Sequence, residues 1–135
     1  MNQLKGKISA IQTSGQLSIV SVDLGNEVLF KSVIIDTPTS APYLKIDKAI
    51  LVLFKETEVI ISTEKQPKIS LQNQIEGKLT KVEKGELLSR LSITTVLGNI
   101  VAIISTQAVD DLGLVDGSKL TAMVKLNEVI LSPES

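Results

Sequence analysis

Short segments in which apolar and polar residues alternate predict β-strands over most of the chain. In the second half such segments are bounded by the turn signals of three glycines. They are residues 78–83, 88–97, 100–105, 120–125 and 128–132, with Gly85, Gly98 and Gly117 between them. The scarcity of other patterns indicates an all-β chain.

One short helix is predicted to interrupt the strands at the same point of each half. In the second half, Ser105 or Thr106 can cap a helix over residues 107–112. In the first half Thr37 is followed by a proline, which suits the first helical position, and Pro42 limits that helix to about one turn.

The chain repeats itself, because three segments return in the same order at offsets of 71, 73 and 70 residues. Residues 2–7 return as 73–78, residues 24–26 as 97–99, and residues 55–62 as 125–132. Nearly constant offsets indicate duplication of a unit of about 60 to 65 residues. The prediction is a first unit over residues 1–63, a linker over 64–69 that contains Pro67, and a second unit over 70–135.

Five strands and one short helix in a unit of this length match a small OB-like barrel. The predicted fold class is therefore all-β, with two tandem five-stranded barrels that each carry one short helix. A core of Ile, Val and Leu is expected, because the chain has only two Phe, one Tyr and no Trp. So small a barrel buries little apolar surface alone, which favours a homo-oligomer, either a trimer or a dimer.

Composition argues against several function classes. With 14 basic and 15 acidic residues the net charge is −1, which gives no field that attracts nucleic acid, and few aromatics are present to stack on bases. The absence of His and Cys removes the usual transition-metal ligands, a His base and a thiolate nucleophile, so neither an enzyme nor a metal-cation site is expected. No apolar run suits a membrane span or a signal peptide, so a cytoplasmic protein is expected.

Several motifs resemble those of the Mop, or TOBE, domain. That domain usually carries Ser-Ala-Arg-Asn in its opening strand, then Gly-x-Ile or Gly-x-Val, Val-Val-Thr-x-x-Ser, Leu-Gly-Leu-x-x-Gly and Val-Val-Lys-Ala. The second unit has Ser70-Leu71-Gln72-Asn73, Gly77-Lys78-Leu79, Ile103-Ile104-Ser105-Thr106-Gln107-Ala108, Leu112-Gly113-Leu114-Val115-Asp116-Gly117 and Met123-Val124-Lys125. The first unit keeps Asn2, Gly6-Lys7-Ile8 and Phe54-Lys55.

The resemblance implies binding of molybdate or tungstate, for intracellular storage, homeostasis or sensing, at sites between Mop units of neighbouring chains. A dianion with four acceptor oxygens needs backbone N–H groups, hydroxyls and a cation. The positions that match the motif are expected to supply them, with two counterparts in the first unit. They are Ser70, Gln72, Asn73, Ser105, Thr106 and Lys125, with Lys55 and Thr37 in the first unit.

Departures from the motif keep an alternative open. Gln72 replaces the signature Arg, Ala108 replaces the Ser of the helix turn, and Asp36 places a carboxylate beside the first helix start, where it would repel a dianion. The alternative is a degenerate Mop pair that serves as an oligomerisation or regulatory module of a molybdate regulator or transporter ATPase without binding ligand. In that case Lys55 and Lys125 are solvated strand ends and Ser105 is a simple helix cap.

Overall fold

The computed structural model describes residues 1–134, which contain ten β-strands, one short α-helix and two single-turn 3₁₀ helices. Ser135, the last residue of the second predicted unit, lies outside the described residues. The strands are β1 (Asn2–Ser14), β2 (Leu17–Asp23), β3 (Leu29–Ile34), β4 (Ala49–Phe54), β5 (Ile60–Ser62), β6 (Asn73–Lys84), β7 (Leu88–Thr95), β8 (Gly98–Ser105), β9 (Lys119–Val124) and β10 (Ile130–Pro133). The helix α1 spans Thr106–Asp111, and the 3₁₀ helices span Glu56–Glu58 and Leu126–Glu128.

The strands form two five-stranded antiparallel sheets, which confirms the predicted all-β class. The first sheet has the order β10-β4-β1-β2-β3 and the second has the order β5-β9-β6-β7-β8. The duplicated sequence therefore gives two sheets of the same plan. The order of the strands in space is the same in both, with β1 and β6 at the centre.

The two halves exchange their last strands. Strand β5 follows the first four strands in sequence but pairs with β9, with Ile60 opposite Met123. Strand β10 pairs with β4 in return, with Ile130 opposite Leu53. Each half therefore contributes four strands to its own sheet and its fifth strand to the other sheet. A 3₁₀ helix precedes each exchanged strand and packs against the sheet of the other half.

Both central strands carry a β-bulge at the same point of the repeat. The register shifts between Ile8 and Ala10 in β1 and between Leu79 and Lys81 in β6. The residue skipped in β6, Thr80, donates its hydroxyl to the carbonyl oxygen of Ser92 at 3.0 Å, so a side chain replaces part of the lost ladder. A bulge bends a strand and increases its twist, and here it lets one long strand curl across its sheet.

The predicted helix forms in the second half but not in the first. Ser105 caps α1, and its Oγ accepts a hydrogen bond from the N–H of Ala108 at 3.0 Å. After Thr37 only one helical bond forms, from the N–H of Ala41 to the carbonyl of Thr37 at 2.8 Å. The next bond is impossible because Pro42 has no N–H to donate. The strand predicted over 128–132 starts later, at Ile130, since Glu128 belongs to the second 3₁₀ helix.

Aliphatic side chains from both sheets pack into one continuous core, as the composition predicts. Phe30 and Phe54 join it with ring centroids 6.0 Å apart. Gly6 and Gly77 allow close packing rather than a bulge. A methyl group on Gly6 would lie 2.5 Å from the carbonyl oxygen of Asp23, and one on Gly77 would lie 2.5 Å from Cγ2 of Ile93.

Replacement of Gly6 by alanine should destabilise the fold by about 1 to 3 kcal/mol, because the new methyl group meets backbone that cannot rotate away. Urea unfolding measures the change. Gln12→Ala, an exposed position of the same strand, is the matched control and should change stability by less than about 0.5 kcal/mol. Equal stability of the two variants would contradict the close packing at Gly6.

Candidate functional site

Two buried asparagines fasten the opening strand of each half to the edge strand of the other. The amide of Asn73 donates to the carbonyl of Lys31 at 2.8 Å and accepts from the N–H of Lys31 at 2.7 Å. The amide of Asn2 makes the same pair of bonds with Val101, both at 2.8 Å. Each side chain therefore acts as a short piece of strand, which satisfies one residue of an otherwise unpaired sheet edge.

This asparagine clamp assigns a structural role to one predicted site residue. Asn73 is 1% exposed and both functional groups of its amide are used by Lys31. Its side chain is not free to contact an anion, and only its backbone remains available for the predicted role. The clamp instead fixes where the preceding residues, Gln72 and Ser70, emerge; both are exposed.

Gln72 and Lys125 each adjoin the last ladder pair of β6 and β9, Asn73 and Val124. Two of the predicted site residues from one unit therefore lie at the same end of the second sheet. Lys125 is exposed and belongs to none of the ion pairs among residues 1–134. Its carbonyl accepts from the N–H of Glu128 at 2.9 Å and begins the second 3₁₀ helix.

Gln72 and Asn73 also line a cleft of about 690 Å³ between the β2–β3 turn and the start of β6. Lys31 provides a cation in its lining, while Glu27 and Glu76 provide carboxylates. Gln72, at the position of the signature Arg, is therefore a neutral amide in a cleft lined by one cation and two carboxylates. Lys31 was not predicted from the motif, and its counterpart in the repeat is Val101, so no sequence signal indicates it.

Ser105 and Thr106 differ in the hydrogen bonds that their hydroxyls can still make. Oγ of Ser105 accepts from Ala108, and its own hydrogen is not used in any bond among the described residues. Oγ1 of Thr106 donates to the carbonyl of Gly85 at 2.8 Å and lies 2.8 Å from Oγ of Ser89. Only Ser105 of this pair keeps a hydroxyl proton for an incoming acceptor.

The predicted residues of the second unit form two groups at opposite ends of strand β6. Ser105 pairs with Leu88, next to the turn that follows β6, whereas Gln72 and Lys125 flank the start of that strand. Twelve residues of β-strand have a contour length of about 40 Å. The two groups therefore lie beside different ends of one long strand.

The 3₁₀ helices relate the lysines to the other half of the chain. The helix that follows Lys55 packs against β8, the strand that ends at Ser105, and the helix that follows Lys125 packs against β3, the strand that leads to Thr37. Lys55 is exposed and, like Lys125, has no ion-pair partner in the described part of the chain. Each lysine is therefore followed by a helix that packs against the other half of the chain.

The first-unit turn contains a carboxylate that the second-unit turn lacks. Oδ1 of Asp36 accepts from Oγ of Ser40 at 3.0 Å, and Ser40 N–H donates to Oγ1 of Thr37 at 3.3 Å. No lysine forms an ion pair with Asp36 within residues 1–134. Partial burial and then the nearby Asp36 raise the pKa of Tyr43. The surroundings of Thr37 therefore favour a cation more than those of Ser105.

Comparison with known proteins places these features in a family. A model of the TOBE domain matches residues 69–131. Molybdenum-pterin-binding protein 2 of Clostridium pasteurianum is 38% identical over 64 residues, which are 47% of this chain and 94% of that protein. Molybdenum transport protein ModE of Herbaspirillum seropedicae is 29% identical over 133 residues, which are 97% of this chain and 49% of ModE.

A solved structure shares the whole fold. The cytoplasmic molybdate-binding protein ModG, with molybdate bound, superimposes with a TM-score of 0.90 and covers 98% of this chain, which covers 96% of it. The sequence identity is 24%, so this likeness establishes the fold alone. The chain spans about half the length of the ModE relatives that it matches.

The exchanged sheets and the paired clamps define a tandem all-β module. The near-complete match to a molybdenum-pterin-binding protein shows that the chain belongs to the Mop family, which carries the TOBE domain. This confirms the resemblance found in the sequence, and the family is one of binding proteins rather than enzymes. In residues 1–134, no helix is long and apolar enough to cross a membrane, and no group of three or more Asp and Glu side chains is placed to hold a metal ion.

Replacement of Asn73 by alanine should lower the free energy of unfolding by about 1 to 3 kcal/mol, because it leaves the buried backbone groups of Lys31 without partners. Urea denaturation measures this. The exposed neighbour Gln72→Ala is the control and should have little effect. Asn2→Ala should act like Asn73→Ala if the clamps are equivalent. A loss of stability below about 0.5 kcal/mol would mean that the clamp contributes little.

Proposed function

We propose that the chain binds molybdate or tungstate in the cytoplasm, for storage, homeostasis or sensing, at sites between Mop units of neighbouring chains. The observation that carries this proposal is the match to nearly the entire length of a molybdenum-pterin-binding protein. The match of 97% of this chain to about half of ModE, and the fold of ModG, whose structure contains molybdate, support the same proposal.

The proposed site combines groups that a tetrahedral dianion requires. Lys125 supplies an exposed cation without a competing carboxylate partner, and Ser105 supplies a hydroxyl proton that its capping bond leaves free. Ser70 and the backbone around Gln72 supply further donors at the end of β6 where Lys125 lies. Hydrogen bonds from such donors to a charged oxygen are stronger than bonds between neutral groups.

The placement of these groups supports the proposal of a homo-oligomer. Because Ser105 and Lys125 lie at opposite ends of β6, the second-unit set is completed only if another chain brings its own groups to the first. A trimer or a dimer of tandem chains satisfies this requirement. Thr37 and Lys55 form the corresponding first-unit set, which the carboxylate of Asp36 makes less favourable for an anion.

Isothermal titration with molybdate should give a dissociation constant in the micromolar range or tighter, about −8 kcal/mol. Lys125→Ala should weaken binding by about 10- to 100-fold, since it removes a charged hydrogen bond. Lys81→Ala is the matched control, because Lys81 is an exposed lysine of β6 whose partner at 3.1 Å is Glu83. Sulfate serves as the control anion. Equal affinity of the two variants would exclude Lys125 from the site.

Gln72→Arg should bind molybdate more tightly than the natural sequence, by about tenfold, because it restores a cation where the Mop motif usually has one. The same titration measures the gain, and Gln72→Met, a neutral side chain of similar length, is the control. If the arginine variant binds no better than the methionine variant, position 72 does not face the anion.

The second candidate function is a Mop pair that assembles without ligand. Gln72 as a neutral replacement, the carboxylates of Glu27 and Glu76 in the same cleft, and the unpaired Asp36 favour it. No heat and no thermal stabilisation with either molybdate or tungstate, in a protein that light scattering shows to be oligomeric, would establish this function in place of the first.

A further inference from the structure

A second cleft lies on the outer face of the second sheet, and of the residues that match the Mop motif only Gly77 and Lys78 line it. It encloses about 470 Å³ between the sheet and the segment from Thr63 to Lys65 that follows the exchanged strand β5. This segment is fastened, because Thr121 donates its hydroxyl to the carbonyl of Glu64 at 2.8 Å and Glu64 N–H donates to Oγ of Ser62 at 3.0 Å. The cleft is therefore a formed feature with a fixed wall.

Two lysines stand directly opposite each other in its lining. Lys78 of β6 is the register partner of Lys119 of β9, so both side chains project from the same face of adjacent strands. Neither lysine belongs to any of the five ion pairs among residues 1–134. Like charges opposite each other on neighbouring strands destabilise a sheet unless an anion lies between them.

The repeat shows that the fold does not require this lysine pair. In the first half the residue equivalent to Lys78 is Lys7, which has Ala49 and Asp23 as its register partners. There a lysine has a carboxylate on one side and a methyl group on the other. In the second half Lys119 replaces the alanine and Thr94 replaces the aspartate. Two ammonium groups therefore lie side by side there without a carboxylate opposite them.

The remaining lining determines which anion fits. Lys65 adds a third cation, while Glu64 and Glu76 add two carboxylates, and Glu76 lies at the border with the cleft near Gln72 because it lines both. Val96, which is 61% exposed, provides apolar surface. A volume in the range of small-molecule sites and an apolar wall beside paired cations fit an organic anion better than a bare oxyanion.

We propose that this cleft binds a small organic phosphate, whose dianionic head lies between Lys78 and Lys119 and whose apolar part packs against Val96. Two ammonium groups match the charge of a phosphate monoester and supply several donors to its oxygens. This site is separate from the proposed molybdate site and does not depend on it. Its lysine pair depends on Lys119, whose counterpart in the first half is Ala49.

The test is a titration of the full-length protein with phenyl phosphate, followed by amide chemical shifts in ¹H–¹⁵N NMR spectra. The shifts should concentrate at the lining residues, and saturating molybdate should leave them unchanged. Lys119→Ala should weaken phenyl phosphate binding by about tenfold. Alanine is the residue that the first half has at the equivalent position, Ala49. Lys7→Ala, the equivalent of Lys78 in the first half, is the matched control and should bind as the natural protein does.

Three results would each overturn the proposal. The first is the absence of localised shifts at millimolar phenyl phosphate. The second is equal weakening by Lys119→Ala and Lys7→Ala, which would indicate general attraction to surface lysines. The third is that inorganic phosphate binds as tightly as phenyl phosphate, or that molybdate displaces phenyl phosphate. The cleft would then be a simple oxyanion site that does not recognise the organic part of the ligand.

Discussion

The exchange of the fifth strands is the constraint on which the rest of the structure depends. A unit of about 65 residues buries too little apolar surface to be very stable alone. Because β5 completes the second sheet and β10 completes the first, neither half can close its core without the other. The clamps of Asn2 and Asn73 act at the same junction and hold the opening strands against the opposite sheet edges. The two sheets therefore share one core and are expected to unfold together.

The pattern of apolar residues and the repeat predicted most of the fold, but they could not show which sheet the last strands join. Strand β5 buries the same face whichever sheet accepts it, so its alternation carries no information about its partner. The sequence indicated the asparagines of the clamps, because Asn2 and Asn73 occupy the same position of the repeat. Their partners are backbone groups of Lys31 and Val101, which any residue provides. The missing first-unit helix depends on a single absent donor at Pro42.

The site was less predictable than the fold because hydrogen-bond competition decides which groups are free. Ser105 and Thr106 are adjacent residues with hydroxyl groups, and both match the motif region. The Ser105 hydroxyl keeps its proton free, whereas the Thr106 hydroxyl donates its proton to the carbonyl of Gly85. Asn73 matches the motif, but its amide serves the clamp. Since ladders and clamps hold the scaffold mainly through backbone groups, exposed positions have been free to diverge between the halves. Lys119 and its counterpart Ala49 show this divergence.

Ligand binding and assembly are coupled if the anion site forms between chains. In one chain Ser105 lies next to the turn after β6 and Lys125 next to the start of β6, so in the proposed site each chain supplies only part of the groups around the anion. An anion that binds only where two chains meet then stabilises the assembly by mass action. The coupling is expected to be unequal between the halves, because Asp36 places a carboxylate directly before Thr37, whereas the residue before Ser105 is Ile104. The second-unit set should therefore fill first, and the first-unit set should respond more strongly to salt and to neutralisation of Asp36.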